Sequence, residues 1–358
     1  MQKIIPTLLL FLLVMPALMA QSKVNNPEKN FEFLWNLFNE NYASFEEKNI
    51  NWQETYNTYR PQVTTTTTDE ELFEVCTNML KPLQDSHVKL KAKNIDKYFA
   101  AQKSSKIIKE LNPVDDILQS VTLMTDSTLL KQGFLPMQTL GSNFMDQPLF
   151  SYTQNPVTKV AYLRIYRCFS HLFFKKGLSL KSQLNKVFQS FENAESLIID
   201  IRFNIGGTDS FSKLVAGYLT DKKVLGYYKQ TRQKNQTFSE KIPHYIFPKG
   251  KHKFLNKVYL ITNNKSVSAA DVMALMLQQL PKVTIVGDNS NGSFSDIYSK
   301  KMPNGWQVML SNQRYLSPKM INYEGKGVPV NIKADTSLKD VQTKHDTVLI
   351  KTIESNTK

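Results

Sequence analysis

Two stretches of the 358-residue chain hold residue types able to do covalent chemistry. The first, Asn263-Asn-Lys-Ser-Val-Ser268-Ala-Ala-Asp-Val272, lies between an apolar run that reads as a buried strand and a run that reads as a helix. A serine at such a junction projects its hydroxyl from a sharp turn, and the first amides of the helix, which have no intrahelical acceptor, face the same space. Those N–H groups, Ala269 first among them, can hold the oxyanion of an acyl-transfer intermediate. The plainer role for Ser266 or Ser268 is an N-cap, with Asp271 completing a capping pair. The second stretch, Asp200-Ile-Arg202-Phe-Asn204-Ile-Gly206-Gly207, follows another apolar run. Paired glycines at a strand end let the backbone approach a ligand closely with its N–H groups exposed. A tight turn alone explains the glycines, but not the charged Asp200 and Arg202 at the end of a strand otherwise apolar.

The elements that must position these stretches are legible from periodicity. Phe31, Phe33, Leu34, Leu37, Phe38 and Tyr42 recur at helical spacing over Asn30 to Phe45; Trp52, Tyr56 and Tyr59 mark a shorter second helix. After the threonine run Thr64 to Thr68, Thr68 and Glu71 form a capping box for a third helix with Leu72, Cys76, Met79 and Leu83 on one face. Residues 99–156 read as a connector with a helix around Val114 to Leu130 and no convincing small β-domain. From Lys159 the texture alternates: strands at Lys159 to Ile165, Ser196 to Ile201, Lys257 to Thr262 and Lys282 to Gly287, with helices at Leu180 to Phe191, Ser210 to Leu219 and Ala269 to Leu280. That order predicts helices packed on a mostly parallel sheet. A strand near Trp306 to Leu310 and a closing helix near Asp346 to Ile353 complete the chain.

Composition excludes several classes. With 41% hydrophobic and 11% aromatic residues the chain can bury cores large enough to offset backbone ordering, and its scattered Gly and Pro fit neither a collagen nor a linker. The net charge of +14 invites an anionic partner, yet the lysines are dispersed and no nucleic-acid motif accompanies them. Cys76 and Cys168 show neither metal spacing nor a redox pair; they form one disulfide or are packed apart. Residues 1–20 have the layout of a secretory signal: Lys3, an apolar run from Ile4 to Val14, and small Ala20 before Gln21. Removal of that segment leaves no apolar run long enough to span a bilayer. An exported protein, periplasmic or secreted, is expected.

Taken in order, Asp200 to Gly207, then Ser268-Ala-Ala-Asp271 followed by Val286-Gly287, then Glu324-Gly-Lys-Gly-Val-Pro329, the chain resembles the C-terminal processing, or tail-specific, serine peptidases. The resemblance is to the branch that includes the tricorn protease core and the interphotoreceptor retinoid-binding protein repeats. In the better-known branch a lysine downstream of the serine is the general base. Here that turn is Asn291-Gly-Ser-Phe-Ser295, with Ser293 at the matching position, while Lys300 and Lys301 read as a solvated strand edge. The tricorn-like branch instead takes a histidine from the helical part, preceded by a serine, and a glutamate from a late loop. Asp85-Ser86-His87 and Glu324 match that arrangement.

The resemblance implies an α/β core of the crotonase and Clp-protease type, preceded by an N-terminal helical subdomain. The expected division is a signal at 1–20, helices over 21–98, the connector at 99–156, the core at 157–335 and a helical tail at 336–358. Ser268 is the expected nucleophile, His87 the base, Ser86 and Glu324 its orienting groups, and the amides of Gly206, Gly207 and Ala269 the oxyanion hole. No metal or cofactor is expected. Peptides or unfolded proteins are the expected substrates, captured without the PDZ module that many members carry; nucleic acid is not expected. The other reading is a non-catalytic binder of a lipophilic ligand or peptide on the same scaffold, its pocket lined by aromatics between Tyr162 and Phe174.

Overall fold

The computed structural model describes residues 26–169, 179–234 and 236–356. Residues 1–20, where the signal is expected, and His171, Phe173 and Phe174 lie outside them.

The N-terminal helices Pro27–Asn41, Trp52–Tyr59 and Asp69–Leu80 form where the apolar spacing places them. The capping box of Thr68 and Glu71 is present at the start of the third. Trp35 and Trp52 each donate their indole N–H to the other's carbonyl, both at 3.1 Å, which fixes the first two helices against each other. Their shared core is closed by a four-stranded antiparallel sheet ordered Ile297–Lys301, Gln307–Ser311, Lys89–Ala92, Lys97–Ala100. The helical part is therefore completed by strands from the far end of the chain. Lys300 and Lys301 stand exposed on the edge strand.

The central sheet has seven strands, in the order Ile332–Lys333, Val283–Gly287, Lys257–Thr262, Ser196–Asp200, Val160–Ile165, Phe150–Asn155, Gln138–Leu140. The first five pair in parallel and the last two are added antiparallel. The connector thus supplies two sheet strands that the sequence reading did not find. In Phe150–Asn155 nearly every residue is buried, so no alternation marks it. The connector also supplies the expected helix, at Ile117–Lys131.

Helices Leu180–Ser190, Asp209–Gly217 and Ala269–Leu277 pack with one face of the sheet in the largest core; Leu129, Phe134, Val348 and Leu349 pack against the other. Every residue of Ala269–Leu277 is buried, as expected of a helix apolar all round. A three-stranded antiparallel sheet, Gln313–Leu316, Val224–Thr231, Ile242–Ile246, covers this side. Cys76 and Cys168 are free and buried in different cores, so the disulfide alternative is closed; burial pushes the Cys168 thiol up to about 12.

Candidate active site

Strands Ser196–Asp200 and Lys257–Thr262 are neighbours, so the loops that leave their C-terminal ends meet. Asn263 knits them: its Oδ1 accepts the N–H of Phe203 at 3.2 Å and of Lys265 at 3.0 Å. Ser266 is fully buried, donates its hydroxyl to Ile201 O at 2.8 Å and accepts from Asn263 N–H. Ser266 therefore holds the turn together, and only Ser268 is left with a hydroxyl for other work.

Ser268 is half-buried at the start of its helix with φ 63° and ψ −120°, backbone that a non-glycine residue adopts only under constraint from its surroundings. The constraint comes from two sides. Gly206, at φ +82°, lies so close that a Cβ there would stand 2.6 Å from Val267 O and 2.7 Å from Ser268 Cβ. On the other side the buried Asp271 carboxylate accepts the N–H groups of Ser268 at 2.8 Å, Gly292 at 2.8 Å and Ser293 at 3.2 Å. The acidic half of the expected capping pair is thus present, but it also anchors the turn at 291–295. Burial raises Asp271 to about 6, against these hydrogen bonds, which favour its charge. Ser293, at the place of the other branch's lysine, donates to Asn291 Oδ1.

The three expected oxyanion donors differ. Gly206 N–H is committed to Asn204 Oδ1 at 2.9 Å, so it is not the free donor that the sequence reading made it. The N–H groups of Gly207 and Ala269 make no hydrogen bond to any described residue. Asn204 ties the loop down further, donating its Nδ2 to Ile165 O and accepting Val267 N–H at its carbonyl.

Asp85-Ser86-His87 follows the short turn after the third helix, where Gln84 takes φ 44°. The buried Asp85 sets the turn, accepting His87 N–H on Oδ1 at 2.9 Å and the Tyr42 hydroxyl on Oδ2 at 3.1 Å. Burial lowers the His87 pKa; Asp85 and Asp296 oppose that, and Lys89 adds to it. Its imidazole is therefore neutral at neutral pH. Glu324, also buried, accepts Phe294 N–H on Oε2 at 3.0 Å. Burial pushes its carboxyl well above the usual range, and the nearby Asp85 adds to this while Lys48 opposes it.

One segment gathers these groups. Gly292 and Ser293 bond Asp271 beneath Ser268, Phe294 bonds Glu324, and Asp296 is close enough to act on the charge of His87. Lys48 spans the two outer turns, donating to Gln84 O at 3.4 Å while its Nζ lies 3.8 Å from where a Gly325 Cβ would stand. No hydrogen bond joins Ser268 to His87. Three buried atoms, Ser86 Oγ, His87 Nδ1 and Glu324 Oε1, have no partner among the described residues. Buried polar groups are as a rule hydrogen-bonded, so orphans on three residues that the sequence singled out make these the candidates for a site.

The other described histidines lie elsewhere. His244 stacks on Tyr227 with Lys213 2.8 Å away, and burial, with Lys213 and Lys229, lowers it to about 4. His252 pairs with Glu192, and His345 is exposed. Tyr162, expected in the other reading to line an apolar pocket, is buried and donates its hydroxyl to Asp200 at 2.8 Å. Among the described residues no group of three or more His, Cys, Asp or Glu is placed to hold a metal, and no helix is long and apolar enough to cross a membrane. Sequence reasoning missed Asn204, Asn263 and the Gly292–Asp296 segment, whose work is done through backbone bonds that no motif advertises.

Residues 159–334 match the sequence model of Peptidase family S41, and residues 24–81 that of the Tricorn protease C1 domain. Among solved structures the chain is similar to a candidate peptidase from Parabacteroides merdae ATCC 43184, at 24% identity over 92% of this chain and 96% of that one, with TM-score 0.76. It is similar to mature CPAF at 13% identity, covering 93% and 98%, TM-score 0.65. It is also similar to the photosystem II D1 C-terminal processing protease at 14% identity, covering 90% and 97%, TM-score 0.51. These likenesses extend over the helical part and the α/β core alike, and the fold is theirs.

Proposed function

We propose that in this serine peptidase, whose residues 159–334 match Peptidase family S41, Ser268 is the nucleophile and His87 the general base. Neutral His87 takes the Ser268 proton as Oγ attacks the scissile carbonyl carbon, and the carbonyl electrons move to oxygen. The N–H groups of Ala269 and Gly207 receive that oxyanion, while Gly206 contributes by having no side chain at the point of closest approach. As the intermediate collapses, His87 returns the proton to the departing amine, leaving an ester on Ser268. Water, activated by the same imidazole, then releases the acid. Glu324 and Ser86 orient His87, their unpaired oxygens facing the role of accepting from its second ring nitrogen.

The observation that most supports this reading is Ser268 held at positive φ against Gly206, with the adjacent Ala269 N–H unclaimed. A serine that merely capped the helix would not need that conformation. Intact-mass analysis after reaction with a serine-directed phosphonate tests it. Wild type gains one adduct and Ser268→Ala gains none; an adduct retained by the variant removes Ser268 from the role. Peptide hydrolysis by Ser268→Ala falls by about 10³- to 10⁶-fold. We propose in addition that the protein is exported, on the signal-like residues 1–20. N-terminal sequencing of the mature protein from its host is then expected to begin at Gln21.

A further inference from the structure

The chain has six arginines. Arg60, Arg164 and Arg202 pair with carboxylates, and Arg167 donates to the carbonyls of Ser142, Gln147 and Pro148. Arg232 and Arg314 form no ion pair among the described residues, and the remaining residues of the sequence contain no Asp or Glu. Both line one groove of about 660 Å³, between the N-terminal helices and the three-stranded sheet.

The groove is built to hold these cations in place. The Arg314 guanidinium lies 3.6 Å from the Phe238 ring centroid, and its Nε donates to Gln230 Oε1 at 3.3 Å. The Arg232 guanidinium lies 5.7 Å from the Phe45 ring centroid and donates to Asn39 O at 3.2 Å, while its Nε is buried with no acceptor. Stacking orients the Arg314 fork, and among the described residues its two Nη groups and the Nη1 of Arg232 meet no acceptor and are left to a ligand. Apolar surface from the half-buried Phe45 and Ile50 adjoins them. The acid on the groove wall, Glu46, is exposed and beyond ion-pair distance of either arginine.

Sheet alternation places the groove relative to the catalytic side. Arg314 and Gln230 are register partners on one face; the next pair, Tyr315 and Lys229, is on the other, where they reach Asp209 and Asp296. We propose that the groove is an exosite for an acidic peptide segment, whose carboxylates take the forks of Arg232 and Arg314 while intervening apolar side chains lie on Phe45 and Ile50. Planar guanidinium edges fit carboxylates two bonds at a time, and the aromatic walls favour a peptide over a bare anion.

The test measures binding alone and so does not depend on the assignment of the nucleophile. Full-length Ser268→Ala protein is titrated into a fluorescein-labelled decapeptide of alternating Glu and Leu, read by anisotropy. Saturable binding is expected, weakened about tenfold or more by Arg314→Gln and abolished by adding Arg232→Gln. Arg314 is a half-buried side chain on a peripheral strand, packed on Phe238 but in no ion pair, so the single variant folds and reports on the site even where the double variant folds poorly. Equal affinity of the parent and Arg314→Gln proteins overturns the proposal, as does equal affinity for a Gln-Leu peptide. Displacement of the peptide by inorganic phosphate at lower concentration than by unlabelled peptide would assign the groove to a free oxyanion and overturn it too.

Discussion

His87 and Glu324 are both buried, and burial moves them in opposite directions because each is driven toward its uncharged form. For His87 that form is the free base, so lowering its pKa keeps the residue competent into more acid solution. The acid limb of kcat/KM is therefore expected to show an apparent pKa below the ordinary 6.5, measured with a substrate that does not itself titrate. Glu324 is held toward its protonated form, and that has a cost. An unfolded glutamate ionises near 4.5 while the folded one keeps its proton, so this residue's contribution to stability is full below 4.5 and is lost as pH rises toward its folded pKa. Glu324→Gln keeps an oxygen for Phe294 N–H and removes that loss. It should gain stability over wild type as pH rises above about 4.5 in urea melts, while kcat falls by about 10²- to 10⁴-fold for want of an ionisable group to orient His87. A variant as active as wild type would assign Glu324 to structure alone.

At the scale of elements, the site is two loops at the ends of adjacent parallel strands, held in contact by one glycine. Gly206→Ala would place a Cβ at 2.6 Å from Val267 O on a backbone with φ +82°, so the turn bearing Ser268 must shift. The expected result is a loss of about 10²-fold or more in kcat/KM with KM little changed, since a displacement of about 1 Å is enough to spoil a near-attack geometry. Unchanged kinetics would mean that the contact is slack. These loops were the legible part of the sequence: a Gly-Gly turn and a Ser-Ala-Ala-Asp helix start each have an ordinary use alone, but their order along the chain is that of a known family. Less legible were the strands Phe150–Asn155 and Val224–Thr231: the first is buried on both faces and the second carries a bulge between Leu225 and Tyr227, so neither alternates cleanly. The residues 291–296 that join the site read as a mere replacement for a missing lysine, since their contribution is backbone N–H groups whose direction no side chain encodes. Gly206 was read as a donor for the same reason: only the coordinates reveal that Asn204 takes its N–H.

At the scale of the molecule, the charged pair that sequence could not explain, Asp200 and Arg202, proves to be the joint between the sheet and the C-terminal helix. Arg202, nearly fully buried, donates to Asp200 Oδ2 at 2.6 Å, to Asp346 Oδ2 at 2.7 Å and to Thr125 Oγ1 at 3.2 Å. Asp346 in turn accepts the N–H of Leu349 inside helix Thr347–Asn356, so three chain segments far apart in sequence meet at one guanidinium. Burial works to raise Asp200, yet the charge and hydrogen bonds of Arg202, with Arg164, hold it below the usual carboxylate range. Its stabilisation is therefore complete above about pH 4 and is lost as pH falls through the lowered value. Asp346→Asn leaves Arg202 paired with Asp200 and removes only the charge assistance of its bonds to Asp346. It is accordingly expected to lower the unfolding free energy by about 1.5–3 kcal/mol in urea at pH 7. Asp346 bonds none of Gly206, Ser268, His87 or Glu324, so kcat per folded molecule should stay within about twofold of wild type, a size of change expected when no group in contact with substrate is removed. A large loss of kcat with intact stability would place the network in the chemistry instead of the frame, whereas the predicted split makes Asp200 and Arg202 the means by which a distant helix holds the catalytic strand ends rigid.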